Sequence, residues 1–256
     1  MEHANNAVRI LLSLFSIIII TTILSARKKH LFIRKIAGLS ALEDAIGRAT
    51  EMGRPMIGVP GLGSIDVVTL QALSILSYIV KSSARYGTRL IVTVPDTSLL
   101  PVAQESLRES YASAGRPDLY NPEDVRFLSN RQFSFAAATA GAIMRERAAA
   151  CFFFGYFYAE SLIFAEAGQQ AGAIQIAGTP STTQIPFFIA ACDYVIIGDE
   201  FYAASAYLSR EPTLLGSIVG QDYCKIVLFF LIAAGCIAVS LFPGLGTALT
   251  GIFLKG

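Results

Sequence analysis

The chain of 256 residues carries 20 Lys and Arg against 19 Asp and Glu, and a net charge of +1 excludes a basic footprint for nucleic acid. With 54% hydrophobic residues, only 15% charged and a mean hydropathy of +0.55, it is more apolar than an ordinary soluble domain and suits a bilayer protein with a substantial soluble portion. Cys151, Cys192, Cys224 and Cys236 have neither paired spacing nor secreted context, so they read as buried thiols and not as disulfides or a zinc site.

The first element is the apolar run 7–25, AVRILLSLFSIIIITTILS, about as long as the 20 residues a helix needs to cross a hydrocarbon core of roughly 30 Å. Arg27, Lys28, Lys29, Arg34 and Lys35 follow it, whereas Arg9 stands alone at its other end, so the positive-inside rule puts the following domain in the cytoplasm. The same basic cluster is placed to meet anionic headgroups. A cleaved signal peptide is the competing reading, from Leu24-Ser25-Ala26, but in such peptides the basic residues precede the apolar run.

Residues 37–210 alternate strand-length apolar runs with helix-length segments, the signature of a mostly parallel sheet with helices on its faces. Ser40-Ala41-Leu42-Glu43 is a capping-box pattern that opens a helix through Met52. A strand at Pro55–Val59 leads through PGLGSID into a helix ending near Tyr86-Gly87. Arg89–Val94 is a second strand, and Pro95-Asp96-Thr97-Ser98 turns into a helix to Ser113. AGRPDLYNPED is a turn-rich connection to a third strand, Val125–Leu128. A helix over Gln132–Arg147 precedes the strand CFFF, a helix through YAESLIFAEAGQQAG, a strand at Ala173–Ala177, a helix at Thr183–Cys192 and a last strand at Tyr194–Ile197. The nearly unbroken runs MIGV, LIVTV, CFFF and YVII suit a sheet covered on both faces. The fold class is therefore α/β, a single Rossmann-like, mostly parallel domain between terminal spanning helices. A rival reading sends residues 148–178 across the bilayer, against which stand Glu160 and Glu166, each costing roughly 2.5–3.5 kcal/mol at a span centre.

Residues 211–225 read as a juxtamembrane connection ending in Lys225, on the same side as the basic cluster. A second spanning run, 226–254, is expected to break at Pro243-Gly244, which leaves open whether its end spans or lies at the interface. Ser13, Ser16, Thr21 and Thr22 in the first run, and Ala233, Ala234, Gly235 and Ala238 in the second, are small or hydroxyl residues that permit close helix approach.

Ligands of open parallel sheets collect at the carboxyl ends of the strands. Here Gly61, Gly63 and Ser64, then Thr179, Ser181 and Thr182, are candidate anion-binding turns, with Asp96 and Asp199 as candidate ligand-binding carboxylates. The competing role for the same residues is to make turns and cap helices. Neither turn is a Walker A loop or a complete G-x-G-x-x-G fingerprint. Catalysis is poorly equipped: His3 and His30 both flank the first span, Ser64 and Ser161 lack an activating base, and G-x-S-x-G is absent. Asp96, Glu160, Asp199 and Glu200 are the candidate acids, and Tyr156, Phe157 and Tyr158 the candidate lining of a pocket or interface. No catalytic residue, metal ligand or cofactor is assigned.

The chain as a whole, with GLSALEDAIGRATEMGRP, VPGLGSID, VPDT and GTPSTTQIP between two spanning runs, resembles a family of uncharacterised prokaryotic membrane proteins classed as a domain of unknown function. The resemblance implies a membrane-bound domain and transfers no site residue. The residues themselves point to a scaffolding subunit partnered by the bilayer and by other copies or other membrane proteins. The alternative is a small-ligand or nucleotide sensor, or an unrecognised enzyme, working through the strand-end loops.

Overall fold

A computed structural model describes residues 6–27 and 37–241. The expectations placed on Lys28, Lys29, Arg34, Lys35, both histidines and the break at Pro243 lie outside the described residues. Contacts divide the chain into two units, one from the terminal segments 1–33 and 210–256 and one from residues 34–209.

The larger unit is built on six parallel strands, β1 (Met56–Val59), β2 (Leu90–Val94), β3 (Val125–Phe127), β4 (Ala150–Phe154), β5 (Ile174–Thr179) and β6 (Tyr194–Ile197), in the order β3-β2-β1-β4-β5-β6. That order makes β1 and β4 the point where the chain reverses its direction across the sheet. Strands β1, β2 and β4 are buried along their whole length, which is why MIGV, LIVTV and ACFFF show no polar alternation.

Successive side chains on a strand point to opposite faces, so β4 serves two cores. Phe152 and Phe154 pack under α3 (Val67–Ala84) and α4 (Leu99–Ser113), with Leu73, Leu76, Val92 and Ile176. Cys151 and Phe153 pack under α5 (Gln132–Glu146), α6 (Ser161–Ala171) and α7 (Ile185–Ala191). There Phe153 meets Phe157, Phe164 and Phe188 at ring-centroid distances of 6.5, 5.7 and 6.3 Å.

The crossovers leave the β5-β6 end of the first face bare, and two further helices cover it. Helix α2 (Ala37–Met52) packs on β4, β5 and β6, and α8 (Glu200–Ser209) packs on β6 and α3. Helix α2 is already helical at Ala37, so the Ser40–Glu43 pattern sits one turn inside it and not at its cap. Buried Leu39, Ala41 and Leu42 explain why apolar packing extends the helix past that motif. Residues 148–178 form β4, α6 and β5 of the sheet.

The smaller unit pairs α1 (Asn6–Ala26) with α9 (Pro212–Leu241), one continuous helix that includes residues read above as a connection. Among the described residues, three helices are long and apolar enough to cross a membrane: Val8–Ala26, Pro212–Leu241 and Val67–Ala84. The third is 61% buried within the α/β unit, between the sheet, α4 and α8, and a helix so enclosed is apolar nearly all round for that reason.

Phe153 touches three other rings in a closely packed core, so Phe153→Ala is expected to lower unfolding stability by about 3–5 kcal/mol. Urea denaturation of the solubilised chain, followed by far-UV circular dichroism, reads this directly.

Candidate functional site

In doubly wound sheets the ligand crevice opens at the carboxyl ends of the two strands flanking the reversal. Here those ends are the turn after β1, Pro60–Asp66, and the turn after β4, Gly155–Glu160. The two turns are joined: the Leu62 backbone N–H donates to the Tyr156 carbonyl at 2.8 Å. Gly61, at φ +83°, is buried against this strap, and a Cβ there would stand 2.6 Å from the Tyr156 carbonyl oxygen. Gly155, at φ +126°, would bring a Cβ to 2.5 Å from the Pro60 carbonyl oxygen. These glycines let two backbones touch, where a nucleotide fingerprint uses its glycines to let a pyrophosphate approach.

The N-terminus of α3 is occupied as well. Asp66 caps it, its Oδ1 accepting the Thr69 backbone N–H at 2.7 Å. Gly63 fits tightly over the same turn, where a Cβ would lie 2.9 Å from Asp66 Oδ2 and 2.7 Å from Thr69 Oγ1. A carboxylate thus holds the position that a phosphate would take, and its charge repels one. Beside it, Tyr202 of α8 hydrogen-bonds with Tyr156. Burial, then Tyr156, Asp199 and Asp66, push the Tyr202 phenol above its usual range.

The other candidate residues occupy separate places. Ser64 and Thr182 are exposed. Thr179 is buried and accepts the Ser181 backbone N–H at 3.1 Å, while the Ser181 and Thr183 hydroxyls share a hydrogen bond of 2.9 Å. Asp96 accepts the Ser98 backbone N–H at 2.8 Å, and the Ser98 backbone and hydroxyl groups hold its carboxyl below the usual range. Asp199 is exposed after β6, and its carbonyl accepts the Tyr202 and Ala203 N–H groups. Glu160 is wholly buried and accepts the Tyr158 backbone N–H at 2.8 Å and the Gln132 side-chain amide, binding the turn after β4 to α5.

Asp96, Glu160 and Asp199 follow β2, β4 and β6. At roughly 4.8 Å per strand, the first and second are displaced by roughly 10 Å and the first and third by roughly 19 Å. They do not converge as an acid/base pair, and no metal-holding group of three or more His, Cys, Asp or Glu occurs among the described residues. Two clefts lie away from these turns: one of about 290 Å³ between α5 and α6, lined by Gly141, Met144, Ile163 and Glu166, and one of about 330 Å³ at the amino ends of β1 and β2, lined by Thr50, Arg54, Thr88 and Arg89.

The helix pair shows the other built contact. A Cβ on Gly216 would stand 2.6 Å from the Ile23 Cα, and one on Gly220 would stand 2.4 Å from Thr22 Oγ1 and 3.2 Å from the Ile19 Cα. One turn on, the Cys224 thiol faces the Phe15 carbonyl at 3.9 Å. This is small-x-x-x-small packing by GSIVG, a legible signal in the segment read as a connection. Of the hydroxyl residues expected to pack, Thr22 meets Gly220. Ser13, Ser16 and Thr21 bond to carbonyls of the preceding turn of their own helix. A Cβ on Gly235 would meet nothing within 4 Å among the described residues. Arg27 is exposed, and Lys225 lies within α9, 3.6 Å from Asp222.

Two outcomes follow. Gly61→Ala, forced into positive φ against backbone, is expected to lose roughly 1–3 kcal/mol, whereas Asp66→Asn keeps the cap and changes stability little; thermal unfolding of the two variants checks the contrast. Burial, reinforced by Asp193, pushes the Cys192 thiol up to about 12, and burial pushes Cys151 further, so both stay protonated near neutral pH. Maleimide labelling of the folded protein at about pH 7.5 is expected to spare both, and mass mapping reads the result.

Neither a curated protein nor a solved structure matches the chain. A family model does, over residues 1–248, and it is described as a domain of unknown function, DUF6754. With nearly the whole length matched, from α1 through the sheet and past α9, the chain belongs to the DUF6754 family.

Proposed function

We propose that this chain is a membrane-anchored structural subunit that associates with further copies of itself or with other membrane proteins and performs no catalysis of its own. The observation that carries the reading is the strap between Leu62 and Tyr156, with the Asp66 cap beside it, at the place where this strand order accommodates a nucleotide. Apolar helices α1 and α9 supply two spans. The basic run from Arg27 to Lys35 sets residues 37–209 on the cytoplasmic side, with the segments beyond the spans on the other. Paired anchors confine the domain to a thin layer and raise its effective concentration for lateral contact.

The exposed apolar surface supports association. Phe187 and Ile189 of α7 and Tyr194 and Ile197 of β6 are exposed, and β6 is an edge strand with no outer partner among the described residues. Unlike the β3 edge, where Arg126 pairs with Glu146, β6 has no charged residue within it.

A second reading, a small-ligand sensor, draws on Tyr156, Tyr202, Asp66 and Asp199. Their carboxylates favour a neutral or cationic ligand over a nucleotide.

Native mass spectrometry from extracted membrane patches tests the proposal. The expected result is a discrete oligomer or a stoichiometric complex with a second membrane protein. A monodisperse monomer carrying a small molecule overturns it in favour of the sensor.

A further inference from the structure

Helices α2 and α3 end in the same way at the amino edge of the sheet, in EMGRPM and RYGTRL. Gly53, at φ +60°, donates its N–H to the Thr50 carbonyl, and the next residue, Arg54, donates its N–H to the Ala49 carbonyl. Gly87, at φ +72°, and Thr88 repeat the pattern on Ala84 and Ser83. Both turns are Schellman caps, so backbone N–H groups satisfy carbonyls at each helix end and no side chain is spent on them. The Thr50 hydroxyl donates to the Ile46 carbonyl at 2.8 Å, which leaves the Thr88 hydroxyl to donate to Thr50 at 2.7 Å and tie the two turns side by side. Glu146, at the end of α5, supplies a third wall of the cleft of about 330 Å³, at the low end of the volumes that hold small ligands.

The charges of this cleft do not balance. Arg89 Nε lies 2.9 Å from both oxygens of the buried Asp124 carboxylate, which Nη2 also bonds, so the guanidinium is held in place with Nη1 outside the pair. Arg126 Nη1 donates to Glu146 Oε1 at 2.8 Å. These two pairs cancel. Arg54, half-buried in the lining, has no side-chain partner among the described residues, and it leaves the lining and its ion-pair partners with one positive charge in excess. Solvent screens a charge less in a partly enclosed cleft than on an open surface, so this excess favours an anion.

We propose that this cleft binds the phosphate group of a phosphate-bearing ligand, with Arg54 and Arg89 as its donors. Two planar forks from separate turns call for an acceptor with more than two oxygens, and a tetrahedral phosphate takes both where a carboxylate is matched by one. A soluble phosphate ester and a phospholipid headgroup share this chemistry. The cleft lies at the opposite edge of the sheet from the Leu62–Tyr156 strap, so the inference goes beyond the structural role and does not depend on it.

Phenylglyoxal modification of the full chain in a maltoside detergent, which carries no phosphate, tests the proposal when the modified arginines are mapped by mass. Saturating glycerol 3-phosphate is expected to slow modification of Arg54 about tenfold and to leave Arg48, exposed on α2, unchanged. Protection of Arg54 in phosphatidylglycerol nanodiscs but not by glycerol 3-phosphate supports the proposal with a lipid headgroup as the ligand. Arg54→Gln removes no side-chain hydrogen bond of the described fold, and it is expected to weaken binding about tenfold by calorimetry. The titrant is glycerol 3-phosphate, or short-chain phosphatidylglycerol in the headgroup case. Arg54 modified at one rate in all three conditions, Arg48 protected as strongly as Arg54, or Arg54→Gln binding as tightly as the unmodified chain overturns the proposal.

Discussion

A parallel sheet with crossovers on both sides has two apolar faces, and every strand of its centre must be covered twice. The strand order here sends α3 and α4 to one face and α5, α6 and α7 to the other, and no crossover returns to the β5-β6 end of the first face. That requirement accounts for α2 before the sheet and α8 after it, and for the apolar surface of α3, which touches strands on one side and α2, α4 and α8 on others. It also bears on the crevice: Tyr202, in the first turn of the covering helix α8, lies against Tyr156 of the turn after β4. The same covering that completes the core narrows the place where a ligand would enter.

Much of this is legible in the residues. Uninterrupted apolar strands point to a sheet buried on both faces, and Gly and Pro punctuation locates the turns within a few residues. The rest is hidden for physical causes. EFYAASAYLS gives no helix signal, because alanine and serine on a short segment with burial on several sides leave no clean 3.6 period. The Ser40–Glu43 motif has the chemistry of a cap, but packing of Leu39 carries α2 beyond it.

The candidate site is half legible. Gly61 and Gly63 stand out as special backbone positions, yet composition alone does not distinguish a glycine that admits a phosphate from one that admits another strand's backbone. Asp66 is the discriminating residue, standing where a nucleotide fingerprint has its third glycine. Glu160 shows the opposite limit: its carboxylate suggests chemistry, and only its burial with the Tyr158 amide and Gln132 reveals a joint between a turn and a helix. In the terminal helices, GSIVG is a readable packing motif. Hydropathy obscures it by drawing attention to the run after Lys225.

The central proposal is that the turns after β1 and β4 are strapped together where this strand order would open a crevice, and that the chain works through assembly. An electron-microscopy map of the full chain in native lipid patches tests it most directly. The account predicts neighbouring subunits in lateral contact and no density between the Gly61 and Tyr156 turns. An isolated chain with a phosphate-bearing ligand held between those turns would contradict it.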